Sequence, residues 1–328
     1  WIRSNILYKE LGDDKLSSYV RENSSGRIIL IDLMYINSKE KNKLLEQILI
    51  TETLAYAISR DYEYAIFKPI LQELYAPSLI ELLYLHGFKN VDTTDPSLTA
   101  LVVNMNNPCV LNLDLENILK EPFRSNPKVK QVIYSTRKSL QKALTNLYPG
   151  ELILSFDSDV LHQKMVKKVC RENNVPIKIS HNKQKGDAMC VPYGDILDRY
   201  IVPNTVTKSL HTEKFFSPDL KNFKIGEFPY YLGLMHQVKM IKSFNKPVIL
   251  VDNILNKGYR IKALDPLLKK ESINVKKIIT GILSGRGKDL MDMQNRDVDS
   301  VYFIPKLKIW FNENTLYPFI GGDALWRG

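Results

Sequence analysis

The residues best suited to chemistry lie close together in Asp252-Asn253-Ile254-Leu255-Asn256-Lys257-Gly258-Tyr259-Arg260. A carboxylate such as Asp252 can hold sugar hydroxyls or cap a helix. Asn253 can hydrogen-bond but cannot serve as a base. Lys257 and Arg260 can neutralise a phosphate, and an arginine can do so through two parallel bonds. They can equally fill the pocket and pair with Asp252. Gly258 lets the backbone approach a ligand, and the turn leads into a helical pattern, Ile261 to Lys270. Backbone N–H groups at such a turn, with the helix dipole behind them, form an anion site.

Two further loops carry related chemistry. Asp157-Ser158-Asp159 follows an apolar strand; Asp157 and Asp159 could bind through Mg²⁺ or cap the next helix, the latter being the plainer role for Asp159. Ser284-Gly285-Arg286-Gly287-Lys288-Asp289 is glycine-rich and basic, expected to be flexible and to contact a phosphate or a base through Gly285, Arg286 and Lys288. Trp310 could stack on a base or fill a core. His211 has no nucleophile at a recognisable spacing. No G-x-S-x-G context surrounds Ser139 or the other serines, so serine hydrolysis has no support.

The elements that would position these residues fall into two series. Apolar runs and helical periods predict strands at 27–36, 63–69, 88–92 and 98–105, with helices at 14–22, 41–59 and 77–86. Residues 106–126, rich in Asn and Pro, read as a linker, within which Val110 to Ile118 could add a strand or short helix. Beyond it the patterns predict helices at 129–147, 159–172 and 260–270 and strands at 151–156, 175–180, 248–251, 277–283 and 299–304. Alternating strands and helices imply an α/β fold with a parallel sheet. Ligands in such sheets sit beyond the carboxyl ends of the strands. The expected domains are therefore 1–105 and 127–328, the second interrupted by a long insert at about 181–246.

The stretch Val248 to Arg260 resembles the ribose-phosphate loop of the type I phosphoribosyltransferases: an apolar strand, two acidic residues and a Thr-Gly-rich loop. Here the pair is Asp252-Asn253, and Lys257 and Arg260 replace the two threonines. Asp157-Ser158 stands where that family places its pyrophosphate loop. Ile304 to Phe311 with Tyr317 to Asp323 resembles the C-terminal stretch of the purine enzymes, where an aromatic stacks on the base. The resemblance covers about 127–328 and implies a Mg²⁺-assisted site for a phosphorylated ribose, such as phosphoribosyl pyrophosphate (PRPP) or a nucleotide. The set it implies is Asp252, Asn253, Lys257, Gly258, Tyr259, Arg260, Asp157 and Ser158. The family often places a hood or flap where the insert falls.

Residues 27–105 resemble the second half of the GNAT acyltransferase fold, most specifically at the strand-to-helix passage 27–59 and at Leu85-His86-Gly87-Phe88. The glycine-rich loop that cradles coenzyme A is replaced by Asn37-Ser38-Lys39-Glu40-Lys41-Asn42, which has no glycine. The chain thus reads as a partial, degenerate GNAT-like domain, with no coenzyme A expected, followed by a phosphoribosyltransferase-like domain.

Composition bounds the alternatives. At 328 residues and 44% hydrophobic content, about two domains are expected. No run of eighteen apolar residues appears, so no membrane partner is expected. Three scattered cysteines and five histidines make neither a disulfide framework nor a metal site built from side chains alone. A cytoplasmic setting is expected. A start at Trp1 rather than Met suits a processed product or the C-terminal part of a longer chain. Residues 1–126 carry 13 Lys/Arg against 17 Asp/Glu, and residues 127–328 carry 33 against 19. The second half thus suits an anionic partner, either a phosphorylated metabolite or nucleic acid, unless lysine-rich solvated faces account for the count. Three functions follow as expectations: a divergent phosphoribosyltransferase, a nucleotide-sensing module without turnover, and a basic nucleic-acid-binding protein. A homodimer is compatible with each.

Overall fold

A computed structural model describes residues 9, 11–32, 34, 43–68, 77–96, 100–178, 185–194, 202–219 and 222–314. The chain is α/β and divides into two compact units, 1–157 with 306–316, and 158–305 with 317–328.

The first unit contains α1 (Asp14–Asn23), β1 (Arg27–Ile31), α2 (Lys43–Ile58), β2 (Tyr62–Phe67), α3 (Pro77–Leu85), β3 (Lys89–Val91) and β4 (Ala100–Leu113). It continues through α4 (Leu115–Ile118), α5 (Pro127–Leu147) and β5 (Glu151–Asp157), and closes with β13 (Ile309–Asn312). Local signals set many of these boundaries. The Asn126 side chain accepts the Lys128 and Val129 amides, and Pro127 opens α5 where a missing N–H costs nothing. Gly87, at φ 91°, lets the chain turn against the Glu151 carbonyl.

Strand β4 organises this sheet. Its first half is antiparallel to β2 and β3. Its second half is parallel to β5 on one side and β13 on the other. Cys109, Leu111, Leu113, Leu144, Ile153 and Phe311 form a core across these strands and α5.

The second unit contains α6 (Ser158–Glu172), β6 (Met189–Pro192), β7 (Val206–Thr207), the antiparallel hairpin β8 (Thr212–Phe216) and β9 (Phe223–Glu227), and α7 (Leu234–Ser243). Then come β10 (Val248–Leu255), α8 (Tyr259–Lys270), β11 (Val275–Ser284), α9 (Gly285–Met293) and β12 (Val298–Ile304). Among the described residues its main sheet is parallel throughout, in the order β12-β11-β10-β6-β7. The first two strands in sequence thus lie to one side of β10 and the last two to the other. The topology reverses between β6 and β10, which is where ligands enter sheets of this kind. Val191, Leu250 and Ile278 pack with Val238, Ile241, Leu264, Leu268 and Met291 of α7, α8 and α9 on one face.

Several expectations from sequence are corrected. Residues 106–113 continue β4 rather than forming a linker, and α5 and β5 belong to the first unit. The dividing point is 157/158. A strand buried on both faces reads as an apolar run, but the run does not say which sheet it joins. The stretch 181–246 is not a simple insert: it supplies β6 and β7 to the main sheet. At four and two residues, these strands are too short for a periodic signal. No strand forms over 175–178. Residues 309–312 return to the first sheet. Asn37 to Asn42 and Tyr317 to Asp323 lie outside the described residues.

Candidate functional site

The site is built on the carboxyl ends of β6, β10 and β11. Strand β10 runs to Leu255, so Asp252 and Asn253 lie within it rather than beyond its end. Asp252 is buried and pairs in register with Thr280 of β11. One of its oxygens, Oδ1, accepts the Asn253 N–H at 2.8 Å. The same oxygen lies directly against Gly194, where an added Cβ would overlap it. Tyr193, fixed by its N–H to the Val251 carbonyl at 3.1 Å, carries a buried hydroxyl. Burial holds that phenol well above its ordinary value, with the Asp252 charge adding to the shift and the Arg260 charge opposing it. Thus Tyr193, Gly194, Asp252, Thr280 and Arg260 are brought together at the switch point. The Tyr193 hydroxyl, Thr280 Oγ1 and Asn256 Oδ1 are buried and find no hydrogen-bond partner among the described residues.

The turn after β10 is tightly specified. Gly258 sits at φ 66°, and a Cβ there would overlap Leu290 of α9. A glycine cap has no side chain to offer, and the N-cap residue of α8 accordingly makes no side-chain hydrogen bond. A helix start carries the anion-attracting character of its first-turn amides. The start of α9 differs. Ser284 accepts the Gly287 N–H at 3.0 Å and donates to the Asn256 carbonyl at 3.1 Å, so it caps its own helix and ties the two turns together.

Residues 284–288 are correspondingly not a flexible loop. Gly285 opens α9 against the Pro305 carbonyl, and a Cβ on Gly287 would overlap the Leu255 carbonyl. Arg286 is exposed. Lys288 is exposed and pairs with Asp292 one turn along, at 2.9 Å. The glycines are there for close packing between helix and strand, a role that composition alone does not distinguish from mobility.

Beside the turn, Phe223 of β9 meets the Tyr259 ring edge-on at 4.8 Å. The ammonium groups of Lys214, Lys257 and Lys262 lie 5.8, 5.9 and 5.8 Å from the centre of that ring. The hairpin is anchored at its other end by the Thr212 hydroxyl, which donates to the Tyr193 carbonyl at 3.1 Å.

Of the expected residues, Asp252, Asn253, Lys257, Gly258, Tyr259 and Arg260 share this site with the nearby start of α9. Asp157 does not join them on this sheet: it ends β5 in the first unit, where its charge helps keep Arg137 protonated. Ser158 is the first residue of α6 in the second unit. Trp310 lies on β13, opposite Val110 in the first sheet. Tyr193, Gly194 and Thr280 were missed. The signal of the first two was present as Val191-Pro192-Tyr193-Gly194, an apolar run ending in a glycine turn, whereas Thr280 lies inside an apolar strand that gives no such sign. Among the described residues no group of three or more His, Cys, Asp and Glu is placed to hold a metal.

A polar clasp marks the parallel strand ends of the first unit. The Glu313 carboxylate accepts Arg137 Nε and Nη2 at 2.8 and 3.0 Å and the Asp114 and Leu115 amides at 3.1 Å. Asn112 donates to Asn312 at 3.0 Å beside it. With both charges buried and bonded, this clasp holds β13 to β4 and α5.

Comparison with known proteins adds little. No family model matches the chain, and no curated protein matches it. A solved structure of the AQ2163 protein from Aquifex aeolicus is 16% identical over 47% of this chain and 75% of that one, with a TM-score of 0.28. That likeness carries no argument about function. No helix among the described residues is long and apolar enough to cross a membrane.

Proposed function

We propose that the second unit binds a phosphorylated ribose ligand, PRPP or a nucleotide, at the carboxyl ends of β6 and β10. The observation that carries this reading is the start of α8, opened by a glycine at its N-cap and following Asp252 by seven residues at the topological switch point. The phosphate takes the first-turn amides of α8, with Lys257 and Arg260 supplying charge. Asp252 takes the ribose hydroxyls, as the first acidic residue of the resembling loop does. Mg²⁺ would accompany the ligand through its phosphate oxygens, as it commonly does at phosphate sites.

The departures from the resembling loop favour binding over turnover. Asn253 replaces a carboxylate, and two cations replace two hydroxyls. Nucleotide sensing is therefore the leading form of the proposal, and phosphoribosyl transfer to a base is the form that pyrophosphate release would establish. Melting curves with PRPP and nucleoside monophosphates, with and without Mg²⁺, test the common claim. A ligand at a hundred times its dissociation constant should stabilise the unit by about 2.7 kcal/mol. Asp252→Ala should remove that gain. If no phosphorylated ribose raises the melting temperature, even in Lys257→Ala, the reading fails.

A further inference from the structure

We propose that the ligand of the second unit is a nucleoside 5′-diphosphate, whose terminal phosphate sits among Lys214, Lys257 and Lys262 beside the Tyr259 ring. The inference rests on the ribose-phosphate reading above and names the ligand class within it, since PRPP carries a single phosphate at its 5′ position.

Three elements bring these cations together. Lys214 comes from β8, Lys257 from the turn between β10 and α8, and Lys262 from the first turn of α8. Their ammonium groups lie 5.8, 5.9 and 5.8 Å from the centre of the Tyr259 ring. Phe223 fixes that ring: it meets Tyr259 edge-on at 4.8 Å, packs against Phe216 at 5.6 Å, and has Lys214 at 4.6 Å from its own centre. Like charges gathered round one ring repel one another, and an anion with more than one charge among them relieves that repulsion.

The carboxylates of the hairpin are placed elsewhere. Lys214 pairs across the hairpin with Ile225, and Phe216 with Phe223, so these side chains share the face turned to Tyr259. Glu213, the neighbour of Lys214 and thus on the opposite face, accepts the Lys214 N–H at 2.9 Å. Lys224 also lies on that opposite face and takes no part. Asp219 follows β8 and accepts the Ser217 hydroxyl at 2.6 Å. Glu227 faces Thr212 at the end of the hairpin away from Phe223.

Tyr259 joins the lysines to the proposed phosphate position. It is the first residue of α8, so its N–H belongs to the helix start while its ring carries the cations. One phosphate on the helix amides accounts for that start and for Arg260; a second, joined to it, accounts for the ring of lysines. The charges are gathered at one point instead of strung along a groove, which suits a short phosphate chain and not a nucleic-acid polymer.

Calorimetry with the full chain tests this by comparing adenosine and uridine 5′-monophosphates with the corresponding 5′-diphosphates. Each diphosphate should bind at least about tenfold more tightly than its monophosphate, the scale of one charge-assisted contact. Lys214→Gln combined with Lys262→Gln should remove that advantage and leave the monophosphates unchanged, while Lys214→Arg retains it. Monophosphates that bind as tightly as diphosphates, or an advantage that survives the double substitution, overturn this proposal and leave the ribose-phosphate reading standing. Binding of neither class overturns both.

Discussion

Asp252 and Gly194 define the site at the scale of single residues. The Asp252 carboxylate lies where any Cβ at position 194 would have to be. Gly194→Ala should therefore displace the carboxylate, cost about 1–3 kcal/mol of stability as overpacking does, and weaken ligand-induced stabilisation beyond that loss. Denaturant melts with and without a nucleoside monophosphate would show both effects.

Buried histidines give a second prediction at the same scale. His86 donates through Nδ1 to the Ile153 carbonyl at 2.6 Å, and burial pushes its pKa down to about 4. Burial likewise pushes His162 down to about 4, against the opposing charge of Asp159. The folded protein thus binds fewer protons at these rings than the unfolded chain, whose histidines titrate near 6.5. Their contribution to stability is complete above about pH 6.5 and declines as the pH falls toward 4. Urea midpoints should fall across that window, and His86→Gln should flatten the decline in the first unit. A midpoint that does not change between pH 7 and 4.5 would contradict this.

Among the secondary-structure elements, the ones best marked in the sequence were those with their own punctuation. Asn126-Pro127 marks the start of α5 and Gly258 that of α8, although the helical periods alone put those starts at 129 and 260, and the long periods of α2 and α6 set their extent. Strand pairing was not legible in the same way. Glu151 to Phe156 reads as a buried parallel strand and is one, but nothing in its pattern names β4 as its neighbour. Met189 to Pro192 was hidden inside an apparent insert because four apolar residues carry no period. The same limit hid Tyr193 and Gly194, whose value comes from β6 lying beside β10. Residues 284–288 misled in the opposite sense: Gly285 and Gly287 suggested mobility, while their contacts are close packing beneath a helix start.

The clasp of Glu313 on α5 and β4 provides a test of element packing. Arg137 and Glu313 are both buried, so removing Glu313 leaves Arg137 with only a 3.6 Å contact to the more exposed Glu116 and the nearby charge of Asp157. Glu313→Ala should cost about 3–5 kcal/mol. Hydrogen exchange should accelerate in β4, β5 and α5 and stay unchanged in β10 and β11. Faster exchange throughout both units would contradict the division at 157/158.

At the scale of the whole molecule, charge and topology both support the proposed anion site. The excess of lysine and arginine lies beyond residue 127. The parallel sheet of the second unit places its switch point between β6 and β10, and the helix that begins there has a glycine as its N-cap. The α/β class followed from alternating strands and helices. The partition into units did not, because the chain leaves the first sheet at Asp157 and returns to it at Ile309.

The central claim is that the start of α8 is a phosphate site beside a ribose-binding carboxylate. Titration calorimetry with a matched pair, a nucleoside 5′-monophosphate and the same nucleoside without phosphate, tests it most directly. The account predicts that the monophosphate binds, that the nucleoside binds at least about tenfold more weakly, as loss of about 1.4 kcal/mol requires, and that Asp252→Ala weakens the monophosphate. Equal binding of the two compounds, or no binding of either, would contradict it.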